Sequence, residues 1–102
     1  MQQLTLSLDF IRQILAEYFA DKPVQRVEIF GSYARGEATA ESDLDVLLSR
    51  RPDQRLTLFD LVDFQDDLER RLGLTVDLGT TLSVFVRPHI EPDLVTVYEQ
   101  AA

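Results

Sequence analysis

Residues 29–36 read IFGSYARG, and residues 43–45 read DLD. Ten residues lie between Ser32 and Asp43. The first segment predicts a strand that runs into a Gly-Ser turn and then a short helix. Because side chains alternate along a strand, Asp43 and Asp45 would point to one face while Leu44 and Val46 point to the core. Two carboxylates on one face can reach a divalent cation or a pair of cations. A turn of small residues that opens a helix can hold a phosphate, so the two segments together predict a metal–triphosphate site.

The overall composition limits the kind of molecule. With 102 residues, 45% of them hydrophobic and 27% charged, the chain is expected to form a single globular domain over residues 1–102. There is no run of eighteen apolar residues and no basic-then-apolar leader, so we expect neither a membrane span nor a secretion signal. The sequence has no cysteine, which excludes disulfides and thiolate metal sites and favours a cytoplasmic setting.

The net charge points to the class of partner. The chain carries 10 basic and 18 acidic residues, a net charge of −8. This argues against direct binding to nucleic acid, which needs a basic surface to displace counterions from phosphates. It is compatible with metal cations, metal-bound nucleotides or a basic protein partner.

Hydrophobic periodicity predicts eight elements in the order α, β, short α, β, α, β, short α, β. They are a helix over 7–20, a strand over 24–30, a short helix over 33–36 capped by Ser32, a strand over 44–48, a helix over 57–72, a strand over 74–79, a short segment from 80, and a strand over 94–98. The predicted buried stripes are Leu8, Phe10, Ile11, Ile14, Leu15, Tyr18 and Phe19 in the first helix, and Leu58, Leu61, Val62, Phe64 and Leu68 in the second long helix, with Phe59 and Leu72 at its edges. We therefore expect an α+β fold with a small mixed sheet and helices packed on one face.

A third carboxylate, Asp77, lies in the apolar strand that follows the second long helix. Val76 and Leu78 would face the core and Asp77 the other side, and burying an unpaired carboxylate is costly. Taken singly, a Gly-Ser turn and an Asp-x-Asp strand are common structural features. Taken together with Asp77 they suit nucleotide transfer, because two metal ions about 3.5–4 Å apart can hold the attacking and leaving oxygens.

The GS, ten residues, DxD pattern resembles the signature of the DNA polymerase beta-like nucleotidyltransferase superfamily. The longer string GSYARGEATAESDLDVLL, residues 31–48, resembles its minimal branch, the MNT antitoxins that are paired with HEPN toxins. The resemblance implies the polymerase beta-like palm fold. It also implies Mg²⁺ ligation, with two ions, by Asp43, Asp45 and Asp77, the last also a candidate to deprotonate the attacking hydroxyl. Phosphate binding is implied for Gly31 and Ser32. For Arg35 two roles stay open, a contact with the triphosphate or a structural salt bridge that fixes the loop.

The resemblance further implies an activity: Mg²⁺-dependent transfer of AMP from ATP to a tyrosine hydroxyl of a HEPN toxin, for which this chain is the antitoxin. Related enzymes that act on tRNA ends, poly(A) tails or aminoglycosides carry extra domains, so a separate protein is expected to supply much of the acceptor site. One alternative is neutralisation of the partner by contact alone. Another is an acidic structural domain with chance motifs. The acidic face of the 57–72 helix is expected to be a solvated face or a docking surface for a basic toxin, and His89 to have a structural or solvated role.

Overall fold

The computed structural model describes residues 6–80 and 94–100. In chain order the elements are α1 (Leu8–Phe19), β1 (Val24–Phe30), α2 (Gly31–Arg35), β2 (Leu44–Arg50), α3 (Leu58–Leu72), β3 (Val76–Gly79) and β4 (Val95–Glu99). This order confirms the predicted one, although the second short helix and His89 lie outside the described residues. Within the described ranges, no helix is both long enough and apolar enough to cross a membrane.

The four strands form one mixed sheet in the order β3-β2-β1-β4. Strand β1 is antiparallel to both β2 and β4, whereas β3 is parallel to β2. A parallel neighbour requires a crossover connection, and α3 provides it between β2 and β3. The predicted α+β class with a mixed sheet is therefore confirmed.

The hydrophobic core lies between the sheet and the two long helices. Leu44, Val46 and Leu48 of β2 have no exposed surface, as their predicted inward spacing requires. They belong to the same buried cluster as residues of α1 and α3. The rings of Phe19 in α1 and Phe64 in α3 meet edge to face with their centroids 5.5 Å apart, which joins the two helices across one face of the sheet.

The beginnings of the three helices differ in how they are capped. Ser7 accepts a hydrogen bond from the Phe10 amide at the start of α1, and Thr57 forms a capping box with Asp60 at the start of α3. The prediction that Ser32 caps α2 is wrong, because α2 begins one residue earlier than Ser32 and its N-cap position gives no side-chain hydrogen bond. Gly31, the residue at which α2 begins, has a positive φ of 76°, a left-handed conformation that glycine adopts without steric cost.

Part of the predicted helix stripes is also wrong. The sequence pattern directs Leu58 and Val62 of α3 to the core, but they are 75% and 51% exposed, and Phe10 of α1 is 43% exposed. The side of α3 that does face the core carries Leu61, Phe64, Leu68 and Leu72. Since each helical residue turns by about 100°, a stripe centred between Phe64 and Leu68 leaves Leu58 and Val62 roughly 100–140° away from the core direction.

Candidate active site

Asp45 lies where the three segments singled out in the sequence meet. In the sheet it is directly opposite Phe30, the residue before the Gly-Ser turn, and directly opposite Asp77 on β3. Directly opposite residues project from the same face of a sheet, and neighbouring strands are about 4.8 Å apart. Because Leu44 and Val46 fill the core, Asp45 and Asp77 occupy the face of the sheet opposite to α1 and α3. The two carboxylates therefore project from the same face.

The Gly-Ser turn approaches Asp45 so closely that residue 31 has no space for a side chain. A Cβ atom at Gly31 would overlap Oδ2 of Asp45 and lie 3.3 Å from its Cγ. The same residue has a φ of 76°, in the left-handed region that side chains disfavour. The close contact with Asp45 and the left-handed φ are two independent reasons why this position requires glycine.

The electrostatics show that Asp43 and Arg35 also belong to this cluster. Burial raises the pKa of the Asp45 carboxyl above its usual value, and the negative charges of Asp77 and Asp43 raise it further, while the Arg35 guanidinium acts in the opposite direction. Asp45 is half-buried, whereas Asp43 and Asp77 are exposed. Asp43 immediately precedes β2, and Asp77 belongs to an edge strand, so the expected cost of burying Asp77 does not arise. The structure thus places Asp77 directly opposite Asp45, and the negative charge of Asp43 acts on the same carboxyl group.

Arg35 and Ser32 are positioned by the end of the short helix α2. The helix ends at Gly36 with a φ of 74°, and the Glu37 amide then donates to the Ser32 carbonyl oxygen at 2.8 Å. The Arg35 Nε donates to Oε1 of Glu37, also at 2.8 Å. Arg35 therefore takes part in an ion pair of the loop and also acts electrostatically on Asp45, so both of its expected roles are compatible with its position.

The donor set around Asp45 fits a hard divalent cation. Carboxylate oxygens are the ligands that Mg²⁺ prefers, and the raised pKa of Asp45 shows like charges that a bound cation would offset. As they stand, no three acidic, histidine or cysteine side chains of residues 6–80 and 94–100 converge closely enough to hold an ion.

One acidic residue of this face is missing from the site predicted by the sequence. Glu28 of β1 is only 6% exposed, and it lies opposite Leu47 of β2 and Thr96 of β4, one row along the sheet from Asp45. The signal that marks it is the one that marks Asp77, an acidic residue between two apolar neighbours of a strand. Glu28 thus adds a buried carboxyl group to the face that carries the predicted site.

Comparisons with known proteins agree with this geometry. The family model described as nucleotidyltransferase domain matches residues 8–99. MJ1379 of Methanocaldococcus jannaschii, named as a candidate protein adenylyltransferase, is 37% identical over 98 residues, which are 89% of this chain and 98% of that protein.

Two solved structures have the same fold. A candidate minimal nucleotidyltransferase, 30% identical, superposes with a TM-score of 0.73 over 88% of this chain and 95% of that one. The MNT antitoxin complex with the tri-AMPylated HEPN toxin of Shewanella oneidensis gives a TM-score of 0.69 at 16% identity, covering 90% of this chain and 72% of the other. Because the family model spans residues 8–99 and a relative 37% identical is covered over 98% of its length, this chain belongs to the nucleotidyltransferase domain family.

Proposed function

We propose that this protein transfers AMP from ATP to a tyrosine hydroxyl of a HEPN-type partner protein and thereby acts as an antitoxin. The observation that carries the proposal is the close approach of the Gly31 turn to Asp45, with Asp77 directly opposite Asp45 on the neighbouring strand. A relative with 37% identity is named as a candidate protein adenylyltransferase, and an MNT antitoxin of the same fold occurs in complex with a tri-AMPylated HEPN toxin. The acceptor residue and the nucleotide are the parts of the proposal that need experiment.

The reaction balances as a single displacement at phosphorus. The tyrosine oxygen attacks the α-phosphorus of ATP, a new P–O bond forms, the bond from the α-phosphorus to the bridging oxygen breaks, and pyrophosphate leaves with that oxygen. The tyrosine proton must pass to a base. Asp77 is exposed on a strand at the end of the described sheet while Asp45 is half-buried, so Asp77 is more accessible than Asp45 to an incoming protein hydroxyl and is our candidate for the base.

In this proposal the remaining residues bind and orient the nucleotide. Asp43, Asp45 and Asp77 would hold Mg²⁺, which when bound supplies positive charge to the triphosphate and to the oxygens entering and leaving phosphorus. The absence of a side chain at Gly31 leaves the backbone of the turn open to a phosphate beside Asp45. Ser32 follows at the start of α2, where amides lack partners within the helix. Arg35 is placed to add a positive charge at the same cluster.

ATP labelled either at the α- or at the γ-phosphate tests the transfer. A candidate HEPN-type partner protein would be incubated with this protein, each labelled nucleotide and Mg²⁺, and the label on the partner counted. Transfer of AMP predicts label from the α-phosphate only, and none with the Asp43→Asn/Asp45→Asn variant. Label from the γ-phosphate, or equal labelling by the variant, would contradict the proposal.

Neutralisation by contact alone is the second candidate, and the apolar residues exposed on α3 favour it. The two candidates separate in cells that express the toxin. If AMP transfer neutralises the toxin, Asp43→Asn/Asp45→Asn loses protection even though the complex still forms. If contact is sufficient, the same variant protects as well as the unmodified protein.

A further inference from the structure

The first turns of α3 carry an exposed apolar surface, here called the α3 patch, formed by Leu58, Phe59 and Val62. These side chains are 75%, 83% and 51% exposed. On a helix, Leu58 and Val62 are four positions apart and Phe59 and Val62 three, so the three are neighbours and together present on the order of 400 Å² of surface. An apolar surface of this size on a small domain is typical of an interaction site.

The α3 patch is remote from the carboxylates. The patch follows Arg50, the last residue of β2, after a connection over residues 51–57, whereas Asp45 lies near the start of that strand, about 16 Å from Arg50 along the strand axis. The two also lie on opposite sides of the sheet, because α3 covers the core face and Asp45 projects from the other face. A partner protein that binds at the α3 patch must therefore supply the acceptor hydroxyl to the nucleotide site from another part of its own surface.

The border of the α3 patch is acidic. Asp63 and Asp66 are exposed and lie four positions beyond Phe59 and Val62, respectively, on the same side of the helix. Their carboxylates form no ion pair or hydrogen bond with any other residue of the described ranges. By contrast, Asp60 is engaged in the capping box, and Asp67 binds both Tyr18 and Arg70. The free acids are thus the ones that border the patch.

Charge decides between two kinds of occupant. A second copy bound symmetrically would place Asp63 and Asp66 of one chain near those of the other, in a protein that already carries a net charge of −8. A partner with an apolar surface bordered by lysine or arginine would instead bury the apolar residues and pair the two acids.

We propose that the α3 patch is a docking site for a basic surface of the protein that this chain modifies. The docking proposal rests on the proposed function, because that function requires a partner protein. The proposed function does not specify where the partner binds. Docking here holds the partner at a distance from the chemistry, so it contributes to affinity for the protein substrate and not to the rate of transfer once the complex is formed.

The test measures binding of a candidate HEPN-type partner protein, together with initial rates of AMP transfer to it. For Leu58→Ser/Phe59→Ser we expect Kd and KM for the partner to rise at least about tenfold, with kcat unchanged. Phe10→Ser removes an apolar side chain that is 43% exposed on α1 and serves as the matched control, for which Kd and KM stay at the wild-type values. Because all these side chains are exposed, the variants are expected to unfold at the wild-type temperature.

A second variant tests the acidic border. Asp63→Asn/Asp66→Asn is expected to lower the association rate at low salt and to flatten its dependence on salt. The matched control is Asp9→Asn in the first turn of α1, for which the salt dependence is expected to stay as in the wild type.

Three outcomes would overturn the docking proposal, and they differ from one another. If wild-type protein labels and binds the partner and the Leu58→Ser/Phe59→Ser variant does so equally well, the proposed function stands and the docking site is wrong. If wild-type protein neither binds nor labels the partner, the proposed function itself fails. If sedimentation shows a wild-type dimer that the same variant converts to monomer, the occupant is a second copy.

Discussion

Gly31→Ala is the substitution for which the structure predicts the sharpest effect. The new Cβ would overlap Oδ2 of Asp45, and the backbone would have to hold alanine at a φ of 76°. The chain offers two matched controls, because Gly36 and Gly73 have φ angles of 74° and 71° and no atom lies within 4 Å of the position that an alanine methyl group would take there. All three substitutions incur the backbone cost, and only Gly31→Ala displaces a carboxylate.

The expected magnitudes follow from these differences. Holding alanine in the left-handed region costs about 1–2 kcal/mol at each position. In a domain of this size 1 kcal/mol corresponds to about 4–8 °C in Tm, so both control variants should lose that much or up to twice as much. Gly31→Ala adds the overlap with Asp45 and should lose more. A displacement of about 1 Å in a reacting site can cost about 100-fold in rate, and we expect at least that loss of AMP transfer for Gly31→Ala.

The assay combines thermal unfolding with transfer of α-labelled AMP to the partner protein, at a temperature where all three variants are folded. Gly73→Ala should be destabilised and active, whereas Gly31→Ala should be destabilised and nearly inactive. If Gly31→Ala transfers AMP as fast as Gly73→Ala, the turn does not position Asp45 for catalysis and the reasoning fails.

Three further predictions concern the carboxylates and the core. The pKa of Asp45 is raised in the folded state, so the contribution of this carboxyl group to stability is present below the unfolded pKa of about 3.9 and is lost as the pH rises through the folded pKa. Asp45→Asn should therefore raise Tm at pH 7 while abolishing AMP transfer. Mg²⁺ at ten times its Kd should stabilise the wild type by about 1.4 kcal/mol, seen as a rise in Tm that Asp45→Asn does not show. Tyr18→Phe removes a 2.6 Å hydrogen bond to Asp67 and should cost about 1 kcal/mol in denaturant unfolding with AMP transfer unchanged; a change in transfer would mean that the α1–α3 contact reaches the site.

Much of the fold can be predicted because period-two alternation is unambiguous in the strands. Strand β1 has the bounds that the sequence predicts, and the inward spacing in β2 separates Leu44 and Val46 from Asp45. The same alternation in β3 places Asp77 on the face of Asp45, although only the sheet order shows that the two are directly opposite. The meeting of these carboxylates is thus predictable in kind from the sequence and in register only from the structure.

The predictions that the structure contradicts are those for which one sequence pattern has two physical explanations. Leu58 and Val62 fit a helical stripe, but so does the true stripe that starts at Leu61, and periodicity alone does not tell a buried apolar side from an exposed docking surface. Ser32 has a side chain that can cap a helix, yet α2 begins one residue earlier, at Gly31, whose φ is positive. The close approach of Gly31 to Asp45 depends on strand pairing distant in sequence, so no local pattern predicts it.

AMP transfer to the HEPN-type partner is tested most directly by the intact mass of that partner after incubation with this protein, ATP and Mg²⁺. The Asp43→Asn/Asp45→Asn variant would be run beside the wild type, with the other three nucleotides as further samples. We expect the partner protein to gain one AMP mass, or a whole multiple of it, with the wild type and to gain no mass with the variant. A stable complex without any mass gain from any of the four nucleotides would contradict AMP transfer and leave neutralisation by contact.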